Sequence, residues 1–329
     1  MKSVEYKEYG SPEVLKIVNV DKPIPKENEV LVRVYSTTVT ATECTFRKGV
    51  PYFSRLFTGL KRPKITTLGE ELSGKIESIG RDVKLFREGD SVFGTAGPGF
   101  GANAEYICIP EDGVLCVKPE NVNFDEAASS VDGFLTSLPF LRDKGNIKSG
   151  EKVLIYGASG SVGSAAVQIA KYYGAEVTGV CSTSNLELVK RLGAEKAVDY
   201  LKEDFTDSGN TYDIIFDAVG KISFPDCKKS LTPYGIFLEA GIGIGIIPHV
   251  ILTSVFRGKK AKIAATGLRS PKERKADLQL LKELIESEKI KPVIDRIYSL
   301  DEISDAHTYA DKGHKKGNVV ISVFKENQT

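Results

Sequence analysis

The stretch "VLIYGASGSVGSAAVQIAKYYGAEVTGVCSTSN", residues 153–185, carries the clearest chemistry in the chain. It reads as a strand, a glycine loop, a helix and a second strand. Gly157, Gly160 and Gly163 open the helix. Small residues there let the backbone approach a pyrophosphate, and the free N–H groups and dipole of a helix N-terminus favour its negative charge. The last glycine also allows the helix to pack closely on the first strand. In strict GxGxxG register the first position is Ala158, so the βαβ framing carries the assignment more than the glycines do.

An Asp or Glu usually ends the second strand of such a unit and bonds a ribose 2′-hydroxyl. Here that place falls at Cys181-Ser182-Thr183. Without a carboxylate, a 2′-phosphate meets no repulsion there, and Ser182, Thr183 and Ser184 offer hydroxyl donors. The expected cofactor is NADPH, with NADH also possible. No basic residue lies within "CSTSN" to complete a phosphate site.

These residues need a scaffold, and the chain supplies one from Lys152 onward. Strands "KVLIY", "EVTGV", "KAVDY", "YDIIFDAVG" and "GIFLEAG" alternate with helical stretches. Near-continuous apolar strands between helices predict a parallel sheet covered on both faces. The first third differs: "EVLVRVYSTTVT", "LSGKIESIG", "DSVFGTAG" and "AEYICIPE" are short β runs broken by Gly, Pro and Asp, as in a compact β-rich unit. Toward the end, Leu278, Leu281, Leu284 and Ile285 share one face of an amphipathic helix. The strand, helix and β run after it either extend the parallel sheet or return to the first unit.

The chain has 329 residues, enough for about two cores. Its 45 basic and 44 acidic residues leave a net charge of +1, which argues against nucleic acid or an anionic membrane as partner. Five scattered cysteines without metal spacing fit a reducing cytoplasm. No apolar run reaches the ~20 residues of a membrane helix, and the charged N-terminus has no signal-like apolar region.

Taken together, "GEKVLIYGASGSVGSAAVQIAKYYGAEVTGV", "LGAEKAVDY", "FREGDSVFG", "GANAEY", "YDIIFDAVG" and "KKGNVVISV" resemble the zinc-free quinone oxidoreductase (zeta-crystallin-like) branch of the medium-chain dehydrogenase/reductase superfamily. The resemblance runs through essentially the whole chain. It implies an α/β protein in which a Rossmann NADP-binding domain, residues 125–267, is inserted into a GroES-like β-rich catalytic domain, residues 1–124 plus 268–329. It also implies a cleft site between the domains, a homodimer, and reduction of a small quinone or α,β-unsaturated carbonyl compound.

Residue by residue, Ser159, Gly160, Val162 and Gly163 match the pyrophosphate loop, and Ser182 and Thr183 its ribose-phosphate end. Tyr200 resembles the tyrosine on the 2′-phosphate side. Thr136 resembles the threonine near the nicotinamide, and Gly241 and Ile242 the segment lining that pocket. Asn185 departs from the lysine that many members carry. In the family's first catalytic loop, Thr40 stands for Asn and Glu43 for Asp, while Arg47 and Gly49 match.

Reduction of an enone or quinone needs a donor for the developing oxyanion and a proton. Tyr52 and Thr40 are the candidates. Around Tyr52, the stretch "KGVPYFSRLFTGLKRPKITT" reads as a lid or rim over an apolar pocket, or as a packed connector. No metal is expected: Glu70 stands where zinc-dependent relatives have a histidine, there is no cysteine quartet, and His249, His307 and His314 fall late in the chain. Two alternatives stay open, an NAD(P)-dependent alcohol dehydrogenase and a dinucleotide-binding structural protein without significant turnover.

Overall fold

The computed structural model describes residues 1–241 and 244–324. Two compact units emerge. One comprises Met1–Val131, Ser270–Ser287 and the chain from Pro292; the other comprises Asp132–Arg269 and Glu288–Lys291.

The second unit is built on a six-stranded sheet, ordered Lys196–Asp199, Glu176–Cys181, Lys152–Tyr156, Tyr212–Asp217, Leu231–Glu239 and Lys260–Lys262. Every pairing in it is parallel. Val153, Leu154 and Ile155 are buried in succession, as are Ile214, Ile215 and Phe216. Helices on both faces explain why these strands read as continuous apolar runs rather than alternating ones. The chain starts at Lys152–Tyr156, winds outward to one edge, then crosses over to Tyr212–Asp217 and winds to the other. That reversal opens a crevice at the carboxyl ends of the strands, where ligands of such sheets bind.

The first unit holds a seven-stranded, mostly antiparallel sheet around the long strand Glu29–Val39. Its first half pairs with Tyr106–Pro110, its second half with Asn318–Ser322, and its other edge with Glu71–Ile79. The tail therefore returns to the first unit, with Val319 opposite Val39. Its helix Ile303–Asp311 buries Ile303 and Ala306 in the same core as Val39, Leu68 and Val319. The amphipathic helix spans Pro271–Glu286, starts with a reciprocal Ser270–Glu273 cap and buries Leu278, Leu281, Leu284 and Ile285. Among the described residues, no helix is long and apolar enough to cross a membrane.

Candidate dinucleotide and substrate site

The glycine loop joins Lys152–Tyr156 to the helix Ser161–Tyr172. Its three glycines differ in why they are glycine. Gly157 has φ +79, and a Cβ there would sit 2.6 Å from Val219. A Cβ on Gly163 would collide with the carbonyl oxygen of Gly157, so the helix lies hard against the loop. Gly160 is under no such pressure. It has ordinary extended backbone, and the nearest atom to a Cβ would be 3.6 Å away. The fold requires two of the glycines; the third keeps the space above the helix start clear. That space faces the first-turn N–H groups of Ser161, Val162 and Gly163, which have no intrahelical acceptor. The Ser161 hydroxyl is buried there without a partner among the described atoms. A dinucleotide pyrophosphate fits these features.

The ribose end is more organised than the sequence suggests. Asn185 is buried and donates through Nδ2 to Ser159 Oγ at 3.0 Å and to Ser182 Oγ at 3.1 Å. It ties the glycine loop to the end of the second strand, a role that the missing lysine does not hint at. An acid is present after all, from the neighbouring strand: Asp199 lies in register with Cys181. The Thr183 hydroxyl donates to it, and that bond holds the Asp199 carboxyl below the usual range. Lys202 Nζ stands 3.7 Å from the same carboxylate. Thr183 is thus engaged with Asp199, which leaves Ser182 and Ser184 as hydroxyl donors and Lys202 as a cation. The strand register brings Lys202 in; the local sequence "CSTSN" carries no sign of it. Tyr200 follows Asp199, half exposed, its ring 6.4 Å from that of Tyr156.

Thr136 lies on the helix Val131–Leu138, its hydroxyl 3.3 Å from Asp132. That helix packs against the start of the dinucleotide helix. A Cβ on Gly133 would be 2.6 Å from the Ser161 carbonyl oxygen, and Ser137 donates to Val162 O at 2.8 Å. Gly241 closes against Gly220, a Cβ there lying 2.6 Å from the Gly220 Cα. Ile242 falls outside the described residues. Beside Gly241 the sheet presents two carboxyls in register at the ends of adjacent strands, Asp217 and Glu239. Asp217 is fully buried and accepts from the N–H groups of Val219, Gly220, Lys221 and Ile222. Burial still raises its carboxyl above the usual range. Burial, and then the charge of Asp217, push the Glu239 carboxyl up to about 7. The pair's members are 22 residues apart, so no local sequence window contains it.

In the first unit, Thr40 is buried and caps the helix Ala41–Lys48, accepting from Glu43 N at 3.1 Å. Tyr52 is exposed, its ring 4.8 Å from the Arg55 guanidinium. No hydrogen bond joins these two candidates among the described residues. Behind Thr40 lies a buried polar group. Arg47 Nη2 meets Asp311 at 2.7 Å, Cys44 Sγ is 3.7 Å from His307 Nδ1, and His307 Nε2 is 4.0 Å from Glu43 Oε2. His307 is distant in sequence from the "TATECTFRKG" motif but is packed against it in space, because the tail helix folds back onto Ala41–Lys48.

These donors do not fit a zinc ion. Cys44 and Glu43 face opposite nitrogens of one imidazole, so they cannot converge on a common metal. Burial pushes the Cys44 thiol up to about 12, far from the thiolate that binds zinc. Glu70, in the histidine position, stands 3.5 Å from Arg274. Among the described residues no group of three or more His, Cys, Asp or Glu forms a metal site.

A parallel sheet with a glycine loop at its first strand, set in sequence inside a GroES-like β unit that the tail completes, defines a medium-chain dehydrogenase/reductase. Residues 26–119 match the alcohol dehydrogenase GroES-like domain, and residues 192–321 the zinc-binding dehydrogenase family. The 2-methylene-furan-3-one reductase of Solanum lycopersicum is 33% identical over 98% of this chain and 79% of its own length. The chloroplastic NADPH-dependent alkenal/one oxidoreductase of Arabidopsis thaliana is 32% identical with the same coverage. The quinone oxidoreductase structure from Coxiella burnetii superposes with TM-score 0.86 at 29% identity, covering 98% of this chain and 99% of that one. The chain belongs to the quinone oxidoreductase branch of the medium-chain dehydrogenase/reductase superfamily.

Proposed function

We propose that this chain is an NADPH-dependent reductase of α,β-unsaturated carbonyl compounds or quinones that works without a metal ion. The observation that carries the reading is Gly160: its open Cβ direction leaves room for a pyrophosphate where the fold itself demands no glycine. The tomato and Arabidopsis relatives, named for furanone and alkenal/one reduction, support the acceptor class. NADPH, when bound, supplies the hydride.

The protein's part is placement. Ser159, Gly160, Val162 and Gly163 hold the pyrophosphate on the helix N-terminus. Ser182, Ser184, Tyr200 and Lys202 receive the 2′-phosphate, with Thr183 fixing Asp199 beneath them. Thr136 and Gly241 flank the nicotinamide. Tyr52 offers an exposed hydroxyl to the acceptor's developing oxyanion; Thr40, whose oxygen already caps a helix, retains its hydroxyl proton for the same purpose. The two compact units correspond in this reading to catalytic and dinucleotide domains.

The assay is NADPH and NADH consumption in chelator-containing buffer with a linear enone, a para-quinone and a simple aldehyde. Fast NADPH-dependent turnover of the enone or quinone is expected. Turnover of the aldehyde alone, abolished by chelator, would overturn the metal-free reading. Dinucleotide binding without any turnover would assign a binding role instead.

A homodimer and a cytoplasmic setting complete the proposal. The sheet edge at Lys260–Lys262 has no further strand among the described residues, and the adjoining helix Ile247–Val255 turns Ile251, Leu252 and Val255 outward. That edge supports pairing with a second copy. All five cysteines are free, as a reducing compartment would keep them.

A further inference from the structure

A net charge of +1 conceals a strong local imbalance. Between Thr45 and Leu68 the chain has six basic residues and no carboxylate. Lys48 and the buried Arg47 are both paired to Asp311, which leaves Arg55, Lys61, Arg62 and Lys64. The same stretch carries a dense exposed apolar group: Tyr52, Leu56, Phe57 and Leu60 are 65–73% exposed. Four large apolar side chains exposed within nine residues mark an interaction site rather than ordinary scatter.

The segment is anchored from beneath. Ser54, Thr58 and Gly59 are buried. The Tyr9 hydroxyl lies 2.8 Å from Thr58 Oγ1 and donates to the Gly59 carbonyl at 2.5 Å. The Arg55 guanidinium lies 4.4 Å from the Tyr9 ring centroid, and its Nε donates to the Gly49 carbonyl at 2.9 Å. The short helical turns Tyr52–Ser54 and Arg55–Thr58 thus bury their small polar residues and hold the large apolar ones outward. Among the described residues, Lys61, Arg62 and Lys64 enter no ion pair, and all three are exposed.

We propose that this face docks on an anionic lipid bilayer. Leu56, Phe57 and Leu60, rimmed by unpaired lysine and arginine, match a membrane interface: these apolar groups enter the acyl boundary while the cations meet the headgroups. Beside these apolar groups, Lys61, Arg62 and Lys64 are exposed and enter no ion pair among the described residues, which favours an anionic partner over a neutral apolar one. The contact is peripheral, so it agrees with the lack of a spanning run, and it amends the expectation of no membrane partner. It stands independently of the hydride acceptor, since it rests on surface chemistry alone.

The test is co-sedimentation of the full chain with vesicles of phosphatidylcholine alone or with a third phosphatidylserine, at low and high salt. Binding to the anionic vesicles only, weakened by salt, is expected. Lys61→Glu with Arg62→Glu should lower partitioning at least about tenfold, and Leu56→Ser with Phe57→Ser by a similar factor. Leu268→Ser, at an exposed leucine of the other unit, should leave it unchanged. Circular dichroism confirms that each variant is folded. No sedimentation, equal binding to neutral vesicles, or unaltered binding by either lid pair overturns the proposal. So does a dimer that dissociates when Leu56 and Phe57 are replaced, which would make the face a contact between copies. Vesicle binding is read without turnover, so its failure leaves the reductase assignment untouched.

Discussion

Replacing Glu239 by glutamine isolates the carboxyl pair at the end of the parallel sheet. Glu239 and Asp217 are in register on neighbouring strands, and the Glu239 carboxyl is raised from 4.5 to about 7 by burial and by Asp217. The folded chain therefore holds this proton more tightly than the unfolded chain. Its contribution is fully present below about pH 4.5 and is lost as pH rises through 7. At about 1.4 kcal/mol per pKa step the complete effect would be about 3 kcal/mol. The group is partly exposed, so solvent screening reduces this by about half. Between pH 5.5 and 8.5 the expected loss is about 1 kcal/mol.

Urea unfolding of wild type and Glu239→Gln at these two pH values measures it. Wild type should lose about 1 kcal/mol more than the variant, and the variant should be the more stable protein at pH 8.5. Glutamine keeps the shape and removes the titration, so packing changes cancel in the comparison. Identical pH slopes in the two proteins would refute the reasoning, because Glu239 would then titrate alike in folded and unfolded chains.

Four further outcomes are expected. Lys202→Ala should raise KM for NADPH about fivefold, the equivalent of ~1 kcal/mol, and leave KM for NADH unchanged; equal effects on both would remove Lys202 from the 2′-phosphate. Gly160→Val should change stability by less than about 0.5 kcal/mol yet weaken dinucleotide binding over about tenfold, as read by calorimetry. Gly163→Ala, which collides with the Gly157 carbonyl, should cost about 1–3 kcal/mol of unfolding free energy, read by urea. Asp311→Ala would leave the fully buried Arg47 guanidinium without its 2.7 Å partner, and about 3 kcal/mol should be lost in urea unfolding.

What the sequence discloses here is what local physics determines. Parallel strands buried on both faces must be apolar throughout, so Val153–Ile155 and Ile214–Phe216 announce themselves. A glycine loop between strand and helix is equally local. What stays hidden depends on register between distant segments. Asp199 and Lys202 reach the ribose end only because Lys196–Asp199 pairs with Glu176–Cys181. Glu239 meets Asp217, and His307 meets Cys44, through packing that no short window contains. Asn185 illustrates the same limit differently. As a departure from a lysine it looks like a loss, whereas its amide joins Ser159 to Ser182. The final β run has a pattern that suits either sheet; only the pairing of Val319 with Val39 decides it.

That last pairing bears on how the chain comes to be folded. Glu29–Val39 is made about 280 residues before its neighbour Asn318–Ser322. Residues 132–269 form most of the other unit and contain every strand of the parallel sheet, so that sheet can close while the first unit still lacks a strand. Until the tail arrives, the inner half of Glu29–Val39 presents an open edge and its apolar face, the condition under which nascent chains associate wrongly. The tail strand thus ends the period of exposure as well as completing the sheet.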